Sequence, residues 1–175
     1  MAGAAAATGE IVLFVHADTL LPADYHEHLS LALAAANVAA VAFGLQVPRA
    51  TWSRHKEQWA LSVVEWGTQI RSKLFELPFG DQALALTARR LERCGGVSSM
   101  PILEDVELVR RLSDRASPWG GAIVTLPVPV LCSPRRWMQY GLVKAHLINA
   151  VLLAAHMVFG VPASWLYRCY YGKSV

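Results

Sequence analysis

The strongest constraint in the chain is an unbroken apolar run, Ile11-Val12-Leu13-Phe14-Val15, that ends on His16-Ala17-Asp18-Thr19. A continuous apolar run closed by a turn predicts an interior strand of a parallel sheet, covered on both faces. Open α/β sheets bind ligands outside the carboxyl ends of such strands. Asp18 therefore stands where a carboxylate can hold a metal ion on a phosphorylated substrate. A plainer reading stays open: Asp-Thr ahead of Leu20-Leu21-Pro22 can close an Asx-turn and start a helix.

A chain of 175 residues is long enough for one domain with a sizeable core. The net charge of +3 and 17% charged residues carry no Lys/Arg stripe, so a nucleic-acid partner is not expected. Cys94, Cys132 and Cys169 are far apart and odd in number, which predicts neither a disulfide framework nor a zinc cluster. A reducing, cytoplasmic compartment follows as the expectation. Residues 1–9 have no basic start and no apolar stretch of signal-peptide length. They read as the end of an Ala-rich helix capped by Gly9. A domain seldom begins at the last turn of a helix, so the chain is expected to lack an N-terminal portion.

Further along, Pro22 to Asn37 predicts a helix, with Pro and acids early and Asn at its end. Val38 to Val47 is a β-rich run that Pro48 stops. Trp52, His55, Trp59, Val63, Trp66 and Ile70 recur at helical spacing, predicting a helix over about residues 51–74 whose tryptophan stripe faces the core. A loop over 77–82 precedes a short strand at 83–87 and a helical turn at 89–94 closed by Gly95-Gly96. Residues 104–115 predict a helix with Val106, Leu108, Val109 and Leu112 inward. Pro127 and Pro129 demote the strand at 123–131 to an edge or to irregular backbone. One long apolar helix from Ser133 to about Phe159, then a shorter one after Pro162, complete the chain. Lys144, His146, Asn149 and His156 interrupt the 142–161 segment, so docking on the domain, a homodimer contact or a shallow membrane-surface position is expected rather than a span.

Several polar groups are candidates for chemistry. Glu104-Asp105 opens a helix, where acids oppose the macrodipole and contribute roughly 0.3–1 kcal/mol, a sufficient structural reason. Functionally, one of these carboxylates can act as a general base on a hydroxyl. Arg135-Arg136 follows Ser133, a good N-cap, and Pro134, suited to the first helical position. Two cations at the positive end of a helix favour an anion there. Trp137 is placed to pack beside that anion or stack on a ring. Asp81, in Gly80-Asp81-Gln82, lies in a loop whose glycine permits close backbone approach, which is equally ordinary turn chemistry. His26 and His28 do not share a helix face, so zinc is not expected from the histidines.

Four segments taken together, "GAAAATGEIVLFVHADTLLP", "LPFGDQALALTARRLERCGG", "PILEDVELVRRL" and "CSPRRWMQYG", resemble the family 2 glycosyltransferases. The likeness is to small bacterial-type members whose first motif reads HADT in place of Asp-x-Asp. It covers nearly the whole chain in the right order. The resemblance implies a GT-A fold, a mostly parallel (mixed) sheet flanked by helices, over residues 1–137, with a helical tail at 138–175. It implies sugar transfer from a nucleotide-sugar donor to an acceptor hydroxyl, hexosyltransferase-like, with inversion at the anomeric carbon. Asp18 matches the aspartate that binds Mg²⁺ or Mn²⁺, and His16 stands at the first acid of Asp-x-Asp. Asp105, with Glu104 beside it, matches the proposed catalytic base. Arg135-Arg136-Trp137 resembles the Gln-x-x-Arg-Trp motif without its glutamine. Asp81 and Gln82 lie where members line the sugar or acceptor pocket.

The strands that hold base and ribose in that family precede the segments seen here. Their absence implies weak donor binding by these 175 residues and an exposed edge on the Ile11–Val15 strand. The competing class is a non-catalytic, transferase-like module acting through its apolar tail. A His/Asp metal hydrolase would need a third ligand beside His16 and Asp18, and the sequence offers no strong candidate.

Overall fold

Strand β3 is the spine of the molecule. In a computed structural model that describes residues 2–49 and 55–172, it runs Val38–Gln46 and is buried through Leu45. Its sequence, VAAVAFGL, has no polar side to turn outward, so it needs cover on both faces. Ala40 and Ala42 pack with Leu84, Leu86, Leu108 and Leu112 on one face, whereas Val41 and Phe43 pack with Leu29, Ala85 and Val130 on the other. Those two sets alternate along the strand, as a pleated backbone requires.

Around β3 the described strands form one five-stranded sheet in the order β1-β4-β3-β5-β2. The strands are β1 (Ile11–Phe14), β2 (Thr19–Leu20), β4 (Leu84–Thr87) and β5 (Ala122–Cys132). Only β3–β5 is parallel; β1–β4, β4–β3 and β2–β5 are antiparallel. The sheet is mixed, as expected, but it is not mostly parallel, because β4 enters between β1 and β3 in reverse and β2 pairs antiparallel with β5. The Ile11–Val15 run is correspondingly an edge strand and not an interior one. Even so, β1, β3 and β5 point the same way, and their carboxyl ends share one end of the sheet.

That end is curled. Strands β1 and β2 lie on opposite edges, joined only by residues 15–18, within which Thr19 N–H donates to the His16 carbonyl at 3.1 Å in a tight turn. A flat sheet of this order is about 19 Å from edge to edge, and a link containing such a turn reaches only about 14 Å. The sheet must close up here. Part of the bend comes from β5, where three residues (126–128) stand opposite Phe43 alone between the pairs Ala42–Thr125 and Gly44–Pro129. Pro127 and Pro129 thus mark irregular backbone, as expected; β5 itself is not an edge strand, though β2 covers only its last two residues.

The helices are α1 (Ala2–Ala6), α2 (Tyr25–Leu33), α3 (His55–Leu74), α4 (Ala88–Arg93), α5 (Glu104–Ser113), α6 (Arg135–Tyr140), α7 (Leu142–Met157) and α8 (Ala163–Tyr171). Three expectations need correction. Helix α1 stops three residues before Gly9, whose φ is not positive, so Gly9 is no C-cap. The single helix expected over 133–159 is broken at Gly141, whose φ of +81° is open to glycine and interrupts the helical course. The tryptophan stripe of α3 is not core: Trp59 and Trp66 are 72% and 67% exposed. Trp52 and the side chain of His55 lie outside the described residues. Helix α5, by contrast, buries all four apolar residues expected of it. The tail joins the domain through a third cluster, in which Trp137 and Ala145 pack with Leu45, Val47 and Leu61. Among the described residues no helix is long and apolar enough to cross a membrane.

Candidate functional site

At the curled end, a 3₁₀ turn over Gly80–Gln82 brings separate segments together. Gly80 N–H donates to Asp105 Oδ2 at 2.6 Å, across 25 residues of chain. On its other side lies His16: a Cβ placed on Gly80 would stand 2.7 Å from His16 Nε2 and 3.1 Å from Asp105 Oδ2. A side chain at this position would have to displace the exposed imidazole and press on that carboxylate. The second oxygen of Asp105 accepts from its neighbour's amide, Val106 N–H, at 2.8 Å. Glu104 beside it is half-buried.

The backbone is strained on either side of this contact. Ala83, directly after the turn, has φ +51°, and Leu103, directly before Glu104, has φ +61°. Residues with a Cβ seldom enter that region, and such outliers gather where surrounding structure over-determines the chain.

Asp81 is the electrostatic centre. Its Oδ1 is buried without a hydrogen-bond partner among the described residues. Burial pushes its carboxyl above the usual carboxylate range, offset first by the Arg71 guanidinium and then by His16, with Asp105 adding to the rise and His146 opposing it. Arg71 itself is brought down to about 10 by burial, held up by Asp81 and Asp105, and remains a cation at neutral pH. Its guanidinium donates to the Leu77 carbonyl and to Gln82 Oε1, and its carbon lies 3.3 Å above the centre of the Phe79 ring. Strong and opposed perturbations of one buried carboxyl gather at functional sites and in structural ion-pair networks alike.

Two further segments reach the same place. Ser133 N–H donates to the Asp18 carbonyl at 3.1 Å, which ties the His16–Thr19 turn to the start of α6. Asp18 is exposed there. Burial, then Asp81 and Asp18, push the Cys132 thiol up to about 11. Both carboxylates are therefore neighbours of the end of β5. Ser133 Oγ accepts from Arg135 N–H at 3.3 Å, but the N-cap position of α6 falls to Pro134 and not to the expected Ser133. The Arg135 side chain is exposed, and that of Arg136 lies outside the described residues.

Two expected ligand-facing residues face inward instead. Gln82 is fully buried: its Nε2 donates to the Phe43 carbonyl at 3.0 Å, and its Oε1 accepts from Ser72 Oγ at 2.7 Å. It clamps the turn to β3 and α3, and its burial keeps it from a substrate. Trp137 is 7% exposed, and its ring stacks at 12° on His146 with centroids 6.2 Å apart. It packs, and does not offer a ring face. Arg71 and His146 were not anticipated. A cation in the last turn of α3, ten residues before Asp81, was the available signal for the first; nothing local marked the second.

Among the described residues no three His, Cys, Asp or Glu side chains gather to hold a metal ion by themselves. Mg²⁺ is commonly bound by one or two carboxylates, with substrate phosphates and water completing its shell. Exposed Asp18, an oxygen donor that like Asp81 neighbours Cys132, fits a site shared with a substrate and not an all-protein cage. A cleft of ≈ 220 Å³ at the other end of β3 is lined by Arg89, Arg90 and Arg93. Arg90 is already engaged there by the Val38 and Ala36 carbonyls. Comparison with protein-family models, curated proteins and solved structures finds no match for this chain.

Proposed function

We propose that the chain works as an inverting, nucleotide-sugar-dependent glycosyltransferase on a GT-A-like sheet. The observation that carries this reading is the Gly80 contact, which joins His16 and Asp105 at the carboxyl ends of strands where α/β sheets hold ligands. The Asp18 turn and the start of α6 border the same place.

In this reading Asp105 takes the proton of the acceptor hydroxyl. Its two amide bonds fix the carboxylate plane and still leave lone pairs open, since an ionised carboxylate has about four acceptor positions. Asp81 offers its unpaired oxygen to a sugar hydroxyl, and the Arg71 guanidinium offsets part of the rise that burial imposes on that carboxyl. Arg135 and Arg136, at the amino end of α6, receive the departing diphosphate. Asp18, with His16 next to it, would hold Mg²⁺ or Mn²⁺, which when bound offsets charge on the leaving group.

Amide spectra recorded with millimolar UDP or GDP plus Mg²⁺ test the binding half of this proposal. Shifts centred on His16, Gly80, Asp105 and Ser133 are expected, even at low affinity; shifts elsewhere or none would end it. With donor and acceptor sugars, Asp105→Asn is expected to lower transfer by about 10²–10⁴-fold, the usual contribution of a positioned base.

A second reading has its own observation: both oxygens of Asp105 are occupied by backbone amides, as in a purely structural buckle. In that case Asp105→Asn lowers stability, and the wild-type chain releases no nucleoside diphosphate from any donor.

A further inference from the structure

Helix α7 presents a mismatch between sequence and burial. Apart from Lys144, His146, Asn149 and His156 it is apolar on every side, a composition that normally belongs to a fully enclosed helix. Yet Ala145 is its one buried residue among those described. Leu147, Val151 and Val158 form an exposed stripe at helical spacing, and Phe159 just beyond is 78% exposed. Trp165 on α8 is exposed as well. Scattered apolar residues on a surface are ordinary, but a continuous helical stripe asks for a partner.

Charge indicates which partner. No Asp or Glu follows Asp114, whereas Arg135, Arg136, Lys144, Arg168 and Lys173 all lie in that stretch. Arg135, Lys144 and Arg168 are exposed. A second copy of the chain would bring the same acid-free helices against each other, since a two-fold contact repeats one patch on both sides. An anionic lipid surface is complementary instead. Tyr140 before α7, and Trp165 and Tyr171 on α8, are exposed aromatics with a polar edge, the residues that favour the boundary between headgroups and chains. With 16 residues, α7 is about 24 Å long, short of a bilayer's hydrocarbon core but suited to lie along it.

We infer that α7 and α8 dock on anionic phospholipid bilayers. Leu147, Val151, Val158, Phe159 and Trp165 enter the acyl boundary, and Lys144 and Arg168 meet the headgroups. This reading does not depend on any catalytic role. Flotation with phosphatidylcholine vesicles containing about 30 mol % phosphatidylglycerol, against pure phosphatidylcholine, tests it on the whole chain, with roughly tenfold tighter partition to the anionic vesicles expected. Lys144→Ala should weaken binding about fivefold, and Val151→Glu with Phe159→Glu by more than roughly tenfold. Leu31→Glu, at an exposed leucine on α2, should change nothing, and circular dichroism checks that each variant folds. Equal partition to both vesicle types, undiminished binding by the double variant, or a wild-type dimer in light scattering that Val151→Glu dissociates would overturn the inference.

Discussion

Helices α3 and α5 both carry apolar residues at helical spacing, and they bury opposite kinds of face. α5 lies over the side of the sheet and encloses Val106, Leu108, Val109 and Leu112. α3 turns Trp59 and Trp66 outward and directs Leu61, Glu65, Thr68 and Ser72 inward. The difference is what each helix meets. Over a sheet face the strands have satisfied one another's hydrogen bonds, so only apolar surface is left to cover. Over strand ends there are unpaired backbone groups, which bury only with partners. Glu65 Oε1 accepts from Val47 N–H at 2.9 Å, just past the end of β3, and Ser72 Oγ donates to Gln82 Oε1, which is anchored to Phe43. The polar ladder of α3 sets its rotation, and the tryptophans take the side that remains.

Substitutions on the two helices should separate these roles most widely. Leu112→Ala on α5, at a fully buried position, is expected to cost about 2–5 kcal/mol. Trp66→Ala on α3, a larger truncation, should stay within about 0.5 kcal/mol. Urea denaturation of both variants measures the contrast, and similar losses would mean that the α3 stripe is covered after all. Next in size, Gln82→Ala removes the bonds of the Gln82 amide to the Phe43 carbonyl, the Ser72 hydroxyl and the Phe79 N–H, for an expected loss of about 2–3 kcal/mol in the same measurement.

Asp81 offers a comparison within the polar end itself. Its carboxyl is held above the unfolded value of 3.8, chiefly by burial, so the folded state binds the proton more tightly than the unfolded chain does. Stability from this group therefore falls as pH rises above about 4 toward its folded value. Asp81→Asn removes that penalty and should raise the urea midpoint at pH 7, with the gain shrinking as the pH is lowered toward 5. A midpoint that drops at pH 7 would show that the pairing with Arg71 outweighs burial. The smallest effect belongs to Asp18→Ala: at an exposed turn position it should move stability by less than about 0.5 kcal/mol. The same substitution should remove the Mg²⁺ dependence of the nucleotide-induced amide shifts.

Much of the architecture was legible in the residues. The Val38–Leu45 run, the amphipathic α5 and the Gly95-Gly96 stop after α4 each have a local cause, and each appears where that cause puts it. His16, Asp18, Asp81 and Asp105 were legible as residue types at strand and helix ends. Arg71 and His146 were not, because each joins the site through an approach between helices that no short spacing encodes. Gln82 and Trp137 were misassigned for the converse reason: amide and indole groups suit a ligand or a packed interior equally well until their neighbours are known.

Sequence by itself determined which segments become strands and helices here, since period, caps and glycine or proline breaks act within a few residues. It also determined that the last sixty or so residues are apolar and free of acid. Tertiary structure alone decided which strand lies at the edge, which side of α3 is buried and that Gly80 separates an imidazole from a carboxylate. Those outcomes depend on pairing and packing between distant segments, where a buried amide or carbonyl must find its partner whatever the periodicity of the helix above it.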